Sequence, residues 1–373
     1  MIRIATIGTS AITRDFIQAI NASERATFVG TLSRDAARAV AFTAEHGGTQ
    51  PFSSIADLAL SDAVDAVYIA SPNALHHEQA IACIAGGKHV LVEKPFASTE
   101  EEAIEIFRAA EAKNVVALEA MRPLHDPAFH AIEDELGSLG PIRRASIRFG
   151  KYSSRYNEIL AGRATNIFDC NMASGALMDI GIYTIEPMLE MFGLPQAVCC
   201  QATLLDPETQ SLTHGPIDGC GSILVGYGKA TVELSYSKIT NDYLPSQIEG
   251  EQATLTIDHI STPRHARIDY RGDVVRGSAT EAPRAPGANG RELKLPQSAN
   301  TMEYELEDFI SAIKGVPHVT EEIWETPAGR LPLGHYRDVT ILAMQVTDAV
   351  RSKIGVRFPA DADQRAATQR GGR

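Results

Sequence analysis

The chain has 373 residues, 44% apolar and 22% charged, with a net charge of −13. That length is enough for two domains with substantial cores, and the acidic excess argues against a general nucleic-acid binder, which needs a basic surface. No apolar run approaches the roughly 18 residues of a membrane span, and Cys83, Cys170, Cys199, Cys200 and Cys220 show neither a CxxC pair nor metal-ligand spacing, so they read as free thiols of a reducing cytoplasm.

Strands and helices alternate from the start. Ile2 to Ile7 is an apolar, β-branched strand ended by Gly8, with no signal-peptide pattern ahead of it. Ile12, Phe16, Ile17 and Ile20 recur at helical spacing. Phe28 to Leu32 is the second strand, and Asp35 to His46 is an alanine-rich helix that stops at Gly47-Gly48. Gln50 to Phe52 reads as a short third strand and Ala66 to Ala70 as a fourth. Asn73 is placed to cap the next helix, which turns Ile81 and Ile84 inward and stops at Gly86-Gly87. Val90 to Val92 forms the fifth strand, a short continuous apolar run of the kind buried on both faces in a parallel sheet. Thr99 to Glu102 is a capping box opening a helix with Ala103, Ile106, Phe107 and Ala110 on one face. Val115 to Leu118 is the sixth strand. Six strands with helices between them predict one doubly wound sheet.

Ligands of such sheets bind beyond the carboxyl ends of the strands. Glu93, Lys94 and Pro95 follow the fifth strand directly, and Pro95 prevents its continuation. Position alone leaves an active-site lysine and a solvated turn lysine equally open. The turn after the first strand, Gly8 to Thr13, aligns with the dinucleotide fingerprint but keeps only its first glycine. Gly8 allows the tight turn, and the Ser10 hydroxyl can donate to a phosphate. Ala11 and Ile12 open a helix whose N-terminus favours anions. At the end of the second strand, Ser33 and Arg34 suit a 2′-phosphate and favour NADP, with NAD still possible. Asp35 is an acid near the position that would select NAD, or simply the cap of the next helix, and Arg34 reads otherwise as a surface charge. Ala70-Ser71-Pro72-Asn73 is a turn able to hold a pyrophosphate or ribose. His76 and His77 are adjacent and point to different helix faces, so one metal cannot easily take both.

Met121-Arg122-Pro123 marks a boundary, with Arg122 and His125 expected to border the cleft. Strands are expected at Arg143 to Phe149, Ala197 to Leu204, Ser222 to Tyr227, Ala230 to Tyr236, Ala253 to Asp258 and Ala266 to Tyr270, with a hairpin turn at Tyr227-Gly228-Lys229. Val232, Leu234 and Tyr236 alternate with polar residues, as in an antiparallel sheet covered on one face. Lys151 to Tyr156 and Arg163 to Asp169 carry polar groups suited to a polyol or sugar, and equally suited to a surface loop. Ser174 to Tyr183 leads a helix with a core stripe of Ile182, Ile185, Leu189 and Phe192, ending at Gly193. Pro187 removes the amide that would bond the Tyr183 carbonyl, so a bend is expected there. Asp179 and Tyr183, four apart, share a face. From the residues alone, a buried polar pair tying this helix to the sheet is the favoured reading. Gly277 to Asn300 reads as a long loop and candidate lid. Met302, Leu306, Phe309, Ile310 and Ile313 then form an amphipathic helix, and Tyr336 to Lys353 a closing one. The domains expected are 1–122 and 123–358, with a polar, frayed tail over 359–373 ending in Arg-Gly-Gly-Arg.

Gly8-Thr9-Ser10, Ala70 to His76, and Gly87 to Pro95 with its Glu-Lys-Pro motif together resemble the glucose-fructose oxidoreductase/inositol dehydrogenase (Gfo/Idh/MocA) family over about residues 1–358. Ser10 and Thr13 depart from the fingerprint glycines. The resemblance implies an N-terminal Rossmann domain and a C-terminal α+β domain with an open, mostly antiparallel sheet whose free face makes a homodimer or homotetramer. Gly-Ala-Leu-Met-Asp-Ile-Gly-Ile-Tyr, residues 175–183, resembles the subgroup of glucose-fructose oxidoreductase and dimeric dihydrodiol dehydrogenase, where most other members carry histidine at the tyrosine. In that subgroup the matching lysine and tyrosine are the catalytic pair, which implies Lys94 and Tyr183 here, supported by Asp179. A tyrosine of pKa about 10 is a poor base at neutral pH, and a nearby Lys94 ammonium is expected to lower it. The expected cofactor set is Gly8, Ser10, Ala11, Ile12, Ser33, Arg34, Arg38, Ser71, Pro72, Asn73, His76, Glu93, Lys94 and Arg122, with no metal. The first reading is an NADP-dependent oxidoreductase acting on a sugar, polyol or diol. A non-catalytic nucleotide binder is the alternative, against which the presence of both Lys94 and Tyr183 speaks. Redox-assisted glycoside cleavage, known in the wider family, is a third.

Overall fold

The computed structural model describes residues 1–271, 289–315, 323–326 and 329–362. Residues 277–288, half of the loop expected from Gly277 to Asn300, and the residues beyond 362 lie outside the described residues; the other half of the expected loop carries a short strand, Gly290–Glu292. The first half alternates β1 (Ile2–Ile7), α1 (Ala11–Ala22), β2 (Ala26–Leu32), α2 (Ala36–Glu45), α3 (Ile55–Leu60), β3 (Ala66–Ile69), α4 (His76–Ala85), β4 (His89–Glu93), α5 (Glu100–Lys113) and β5 (Ala117–Ala120). All five strands pair in parallel in the order β2-β1-β3-β4-β5. Helices cover both faces, so Ile4 to Ile7, Ala66 to Ile69 and Val90 to Val92 are buried whichever way they point. Phe16 of α1 stacks on Tyr68 of β3 with centroids 3.9 Å apart. The strand order reverses between β1 and β3, which opens a crevice at their carboxyl ends.

The sheet has five strands rather than the six expected. Phe52 makes only an isolated bridge to Leu32. Thr49 and Gln50 both donate their amides to the Val29 carbonyl, and Pro51 has none to give, so this segment crosses the sheet edge without extending it. Ser54, accepting from the Asp57 amide at 3.1 Å, then caps the unforeseen α3. At the other edge, the Val116 amide goes to His89 Nδ1, and β5 begins two residues later than expected. The Thr99 cap is present, but Glu102 reaches back to the Ser98 amide.

The second half contains α6 (Arg122–His125), α7 (Pro127–Glu133), β6 (Ile142–Gly150), α8 (Ser154–Leu160), a π-helical turn at Leu177–Gly181, α9 (Ile182–Phe192), β7 (Ala197–Leu204), α10 (Gln210–Thr213), β8 (Asp218–Gly226), β9 (Thr231–Ser237), β10 (Ser246–Gly250), β11 (Ala253–Ile257), β12 (Ala266–Tyr270), β13 (Gly290–Glu292), α11 (Met302–Gly315), β14 (Ile323–Thr326), β15 (Gly329–Pro332) and α12 (Leu333–Ile354). Eight strands order as β13-β12-β11-β10-β6-β9-β8-β7, antiparallel except for β6 against β9. Val232, Leu234 and Tyr236 face the core with Ala145 and Ile147 of β6. The β8–β9 hairpin closes through Tyr227 and Ala230 around Gly228 at φ +73°, a left-handed position suited to glycine. A π-helical turn that the sequence did not signal, Leu177–Gly181, precedes α9, and α9 itself runs on through Pro187. α12 packs on both α9 and α5, joining the two halves. Among the described residues no helix is long and apolar enough to cross a membrane.

Candidate active site

One cavity of about 1270 Å³ lies along the carboxyl ends of β1, β2, β3 and β4 and is closed on its far side by the second half of the chain. Gly8, Ser10, Ala11, Ile12, Ser33, Arg34, Arg38, Ser71, Pro72, Asn73, Glu93, Lys94, Asp179 and Tyr183 all line it. Residues some ninety positions apart therefore share one wall. The cavity is long enough in outline to run from the β2 end, past α1, to Tyr183.

The β1–β2 end suits a dinucleotide. Gly8 has φ +112°, and a Cβ there would stand 2.5 Å from the Ala70 carbonyl, so only glycine lets the chain pass this close to β3. No acidic residue lies in the first turn of α1 and no side chain caps its amides, which preserves its attraction for anions. The two departures from the fingerprint pair with each other, Ser10 Oγ and Thr13 Oγ1 being 3.1 Å apart. Asp35 accepts from the Arg38 amide at 3.1 Å as the cap of α2, so its carboxylate is occupied locally. Arg38 donates to the Thr9 carbonyl at 3.2 Å and braces the two loops against each other. Arg34 is exposed and makes no ion pair among the described residues. An exposed guanidinium and the Ser33 hydroxyl beside a capped acid fit a 2′-phosphate better than two free ribose hydroxyls.

At the opposite end, β4 delivers Lys94 and the π-helical turn delivers Asp179. Lys94 Nζ donates to Asp179 Oδ1 at 2.7 Å and to the Asp179 carbonyl at 2.9 Å. It stands 4.8 Å from the centre of the Tyr183 ring, a cation–π distance. Phe149 of β6 meets that ring edge-on, with centroids 5.4 Å apart. Burial opposes the Lys94 charge, but Asp179, Tyr183 and Glu93 outweigh it and raise its pKa above the ordinary value. Burial works against Asp179 too, and the two ammonium groups on it prevail, holding its carboxyl well below the usual range. Lys94 is thus firmly protonated, and two of its three N–H bonds are committed to Asp179.

The expected lowering of the Tyr183 pKa is not found. Burial raises it, and the opposing fields of Lys94 and Arg122 do not compensate, with Glu93 and Asp179 adding to the rise. The reason is burial, which outweighs the field of an ammonium 4.8 Å from the ring centre. Tyr183 is therefore a neutral phenol, equipped to donate a proton.

Several expected residues have other occupations. Asn73 does not cap α4; its Nδ2 donates to the Ala173 carbonyl at 2.8 Å, across to the second half of the chain. His76 is fully buried and off the cavity wall, its two ring nitrogens 2.9 Å from Pro95 O and 3.0 Å from Ser71 O. Arg122 does not reach the wall and sits among Glu93, Glu305, Tyr68 and Tyr183. His125 is buried rather than bordering the cleft, bonded to Asp308 Oδ2 at 2.8 Å and Glu119 O at 3.0 Å. Glu93 accepts from the Tyr68 hydroxyl at 2.5 Å. Of the two polar segments, Arg155, Thr165 and Asn166 line the cavity and Tyr152 does not; Glu158, between the segments, lines it as well.

Sequence reasoning missed Lys238. It lies just past β9, is 3% exposed, and its Nζ binds Asp179 Oδ2. A signal existed: Val232, Leu234 and Tyr236 point inward, and residue 238 continues that parity.

Comparison with known proteins agrees with this fold. Residues 2–120 match the family model described as the oxidoreductase family with NAD-binding Rossmann fold. Residues 134–256 match the GFO/IDH/MocA C-terminal domain. A scyllo-inositol 2-dehydrogenase (NADP(+)) of Bacillus subtilis is 35% identical over 97% of this chain and 99% of its own. A trans-1,2-dihydrobenzene-1,2-diol dehydrogenase of Mus musculus is 26% identical over 96% of this chain and 99% of its own. A crystal structure of a 3-ketoreductase from Actinomadura kijaniata in complex with NADP and TDP-benzene shares the fold, with a TM-score of 0.75 at 21% identity over 94% of this chain and 97% of that one.

Proposed function

The chain belongs to the GFO/IDH/MocA oxidoreductase family, and from that premise we propose that it exchanges a hydride between NADP and a secondary alcohol or ketone of a cyclitol, sugar or vicinal diol, with Tyr183 moving the hydroxyl proton and Lys94 polarising the oxygen. The observation that carries this is the meeting of Lys94 and Tyr183, from separate halves of the molecule, on one cavity wall. The NADP-dependent inositol dehydrogenase and the diol dehydrogenase among its relatives support both the cofactor and the substrate class. In this reading residues 1–122 hold the nucleotide and residues 123–358 supply the substrate side; Asp361, within the expected frayed tail, is instead bonded to Arg351 of α12 at 2.9 Å.

Bound NADP supplies the carbon that gives or takes the hydride. The Gly8 turn, the N-terminus of α1, Ser33, Arg34 and Ser71 would hold it. The protein's own work is on the oxygen. Lys94 keeps one N–H free after its two bonds to Asp179, and that N–H stabilises the charge growing on an alkoxide or polarised carbonyl. Tyr183, a neutral phenol packed against Phe149, donates its proton to that oxygen during reduction; for oxidation it first gives that proton to solvent, and the phenolate then takes the proton of the alcohol. Arg155, Glu158, Thr165 and Asn166 offer hydrogen bonds for the remaining hydroxyls of a polyol.

We place the protein in the cytoplasm, as its five cysteines are all free. We propose that it assembles as a homodimer or homotetramer through the uncovered face of the second sheet, where Cys199 and the 51%-exposed Leu224 lie. The test of function is turnover of purified protein with NADP or NAD against cyclitols, vicinal diols and aldoses, read by reduced-nicotinamide absorbance. Oxidation of one class, faster with NADP, is expected. Nucleotide binding without turnover of any of them would favour a non-catalytic binder.

A further inference from the structure

We infer that Lys238 is a positioning residue for the reaction: by gripping the second oxygen of Asp179 it makes two ammonium groups share one carboxylate, so that the Lys94–Asp179–Lys238 trio carries one net positive charge. This rests on the proposed role of Lys94 and Tyr183 and extends it to a residue that touches neither the cavity nor the ring.

Three observations support it. Lys238 is almost wholly buried and binds one oxygen of Asp179 while Lys94 binds the other at 2.7 Å. Its backbone is fixed on both sides, its amide donating to the Gly219 carbonyl at 2.9 Å and its carbonyl accepting from the Ser153 amide at 2.8 Å. That second bond ties it to the segment leading into α8, whose Arg155 and Glu158 line the cavity. Its ammonium also lies 5.9 Å from the centre of the Phe168 ring.

A carboxylate paired with one lysine is neutral as a unit and projects little field. Adding a second ammonium restores a net charge of one sign where an alkoxide develops. If bracing Asp179 were the only need, a neutral donor would meet it without burying another charge, which is costly. The charged groups facing Lys238 are Asp179, Lys94 and Asp218. Those facing Tyr183 are Lys94, Glu93, Arg122 and Asp179. Removing the Lys238 charge leaves Asp179 to offset Lys94 alone, so a phenolate at Tyr183 becomes harder to form and the oxidation rate rises only at higher pH.

The test compares K238Q, which keeps a hydrogen-bond donor without charge, with K238R, which keeps the charge. Two readouts are taken: the pH profile of kcat for alcohol oxidation, and the phenol pKa of Tyr183 from ultraviolet titration against the Y183F background. K238Q is expected to lose about 10- to 100-fold in kcat, to move the rising limb and the phenol pKa up by about one unit, and to bind NADPH as before. K238R is expected to stay within about fivefold of the parent with little shift. Equal losses in both variants with unshifted profiles would reduce Lys238 to a structural brace and overturn the inference, as would unaltered kcat in K238Q. If the parent turns over no alcohol yet the phenol pKa moves in K238Q, the proposed function fails while the charge arrangement stands.

Discussion

Changing Asp179 to Asn preserves its size and removes the charge between Lys94 and Lys238, leaving two buried ammonium groups facing one amide. At the 2.7 Å separation of Lys94 from Asp179, Coulomb's law with an effective dielectric constant of about 20 gives roughly 6 kcal/mol for that pair before desolvation is counted. Loss of one partner from a buried pair has a net cost of about 3–5 kcal/mol, mostly for the charge left behind. The lower end of that range applies here, because burial already holds Lys238 below the ordinary lysine value and it can shed its proton once its partner is gone. The expected loss is therefore about 3 kcal/mol at neutral pH. The variant should recover stability toward alkaline pH, since its unfolded state then binds more protons than its folded state. Urea unfolding across pH reads both effects, and a second replacement, Lys238→Met, in the Asp179→Asn background should restore part of the loss. A loss below about 1 kcal/mol, the range of an exposed ion pair, or one independent of pH, would refute the picture of a tightly coupled buried cluster.

Gly8→Val places side-chain atoms against the Ala70 carbonyl at a backbone angle that β-branched residues avoid, and should weaken NADPH binding at least tenfold by fluorescence titration. Arg34→Glu should reverse the cofactor preference by raising the KM for NADP about tenfold or more while leaving that for NAD little changed, read from initial rates. Because Asp179 is held well below the usual carboxylate range, its contribution is fully present above the unfolded value of about 3.9 and fades as pH falls through the folded one. The parent should accordingly lose more stability below about pH 4 than Asp179→Asn does, a difference visible in acid unfolding curves.

Much of the fold is readable from local pattern. β1, β7 and β12 fall on the expected residues, because their alternation or apolar runs are bounded by glycine or polar turns. β10, Ser246–Gly250, contains one large apolar residue, Ile248, and shows no period to read. Gln50 to Phe52 has the composition of a strand, but Pro51 and the shared Val29 acceptor decide its geometry, and those depend on how α2 returns to the sheet. The nucleotide end was legible because a strand, a glycine and a helix follow one another in sequence. The opposite end was not: Lys94 and Asp179 are 85 positions apart, and only the family resemblance joined them. The orientation of the ammonium over the ring, the cross-chain bond of Asn73 and the grip of Lys238 are products of packing between the two halves. His76 looked like a cofactor contact from its place in a motif, yet burial gave its nitrogens to Pro95 and Ser71.

The most direct measurement is the turnover of Tyr183→Phe with saturating NADP and an alcohol oxidised by the parent protein, beside its NADPH affinity. Removing a positioned proton carrier is expected to reduce kcat by about 10²- to 10⁴-fold with the Kd for NADPH unchanged, as the phenol's role is at the substrate oxygen. Turnover equal to the parent's would contradict the account and remove Tyr183 from the chemistry.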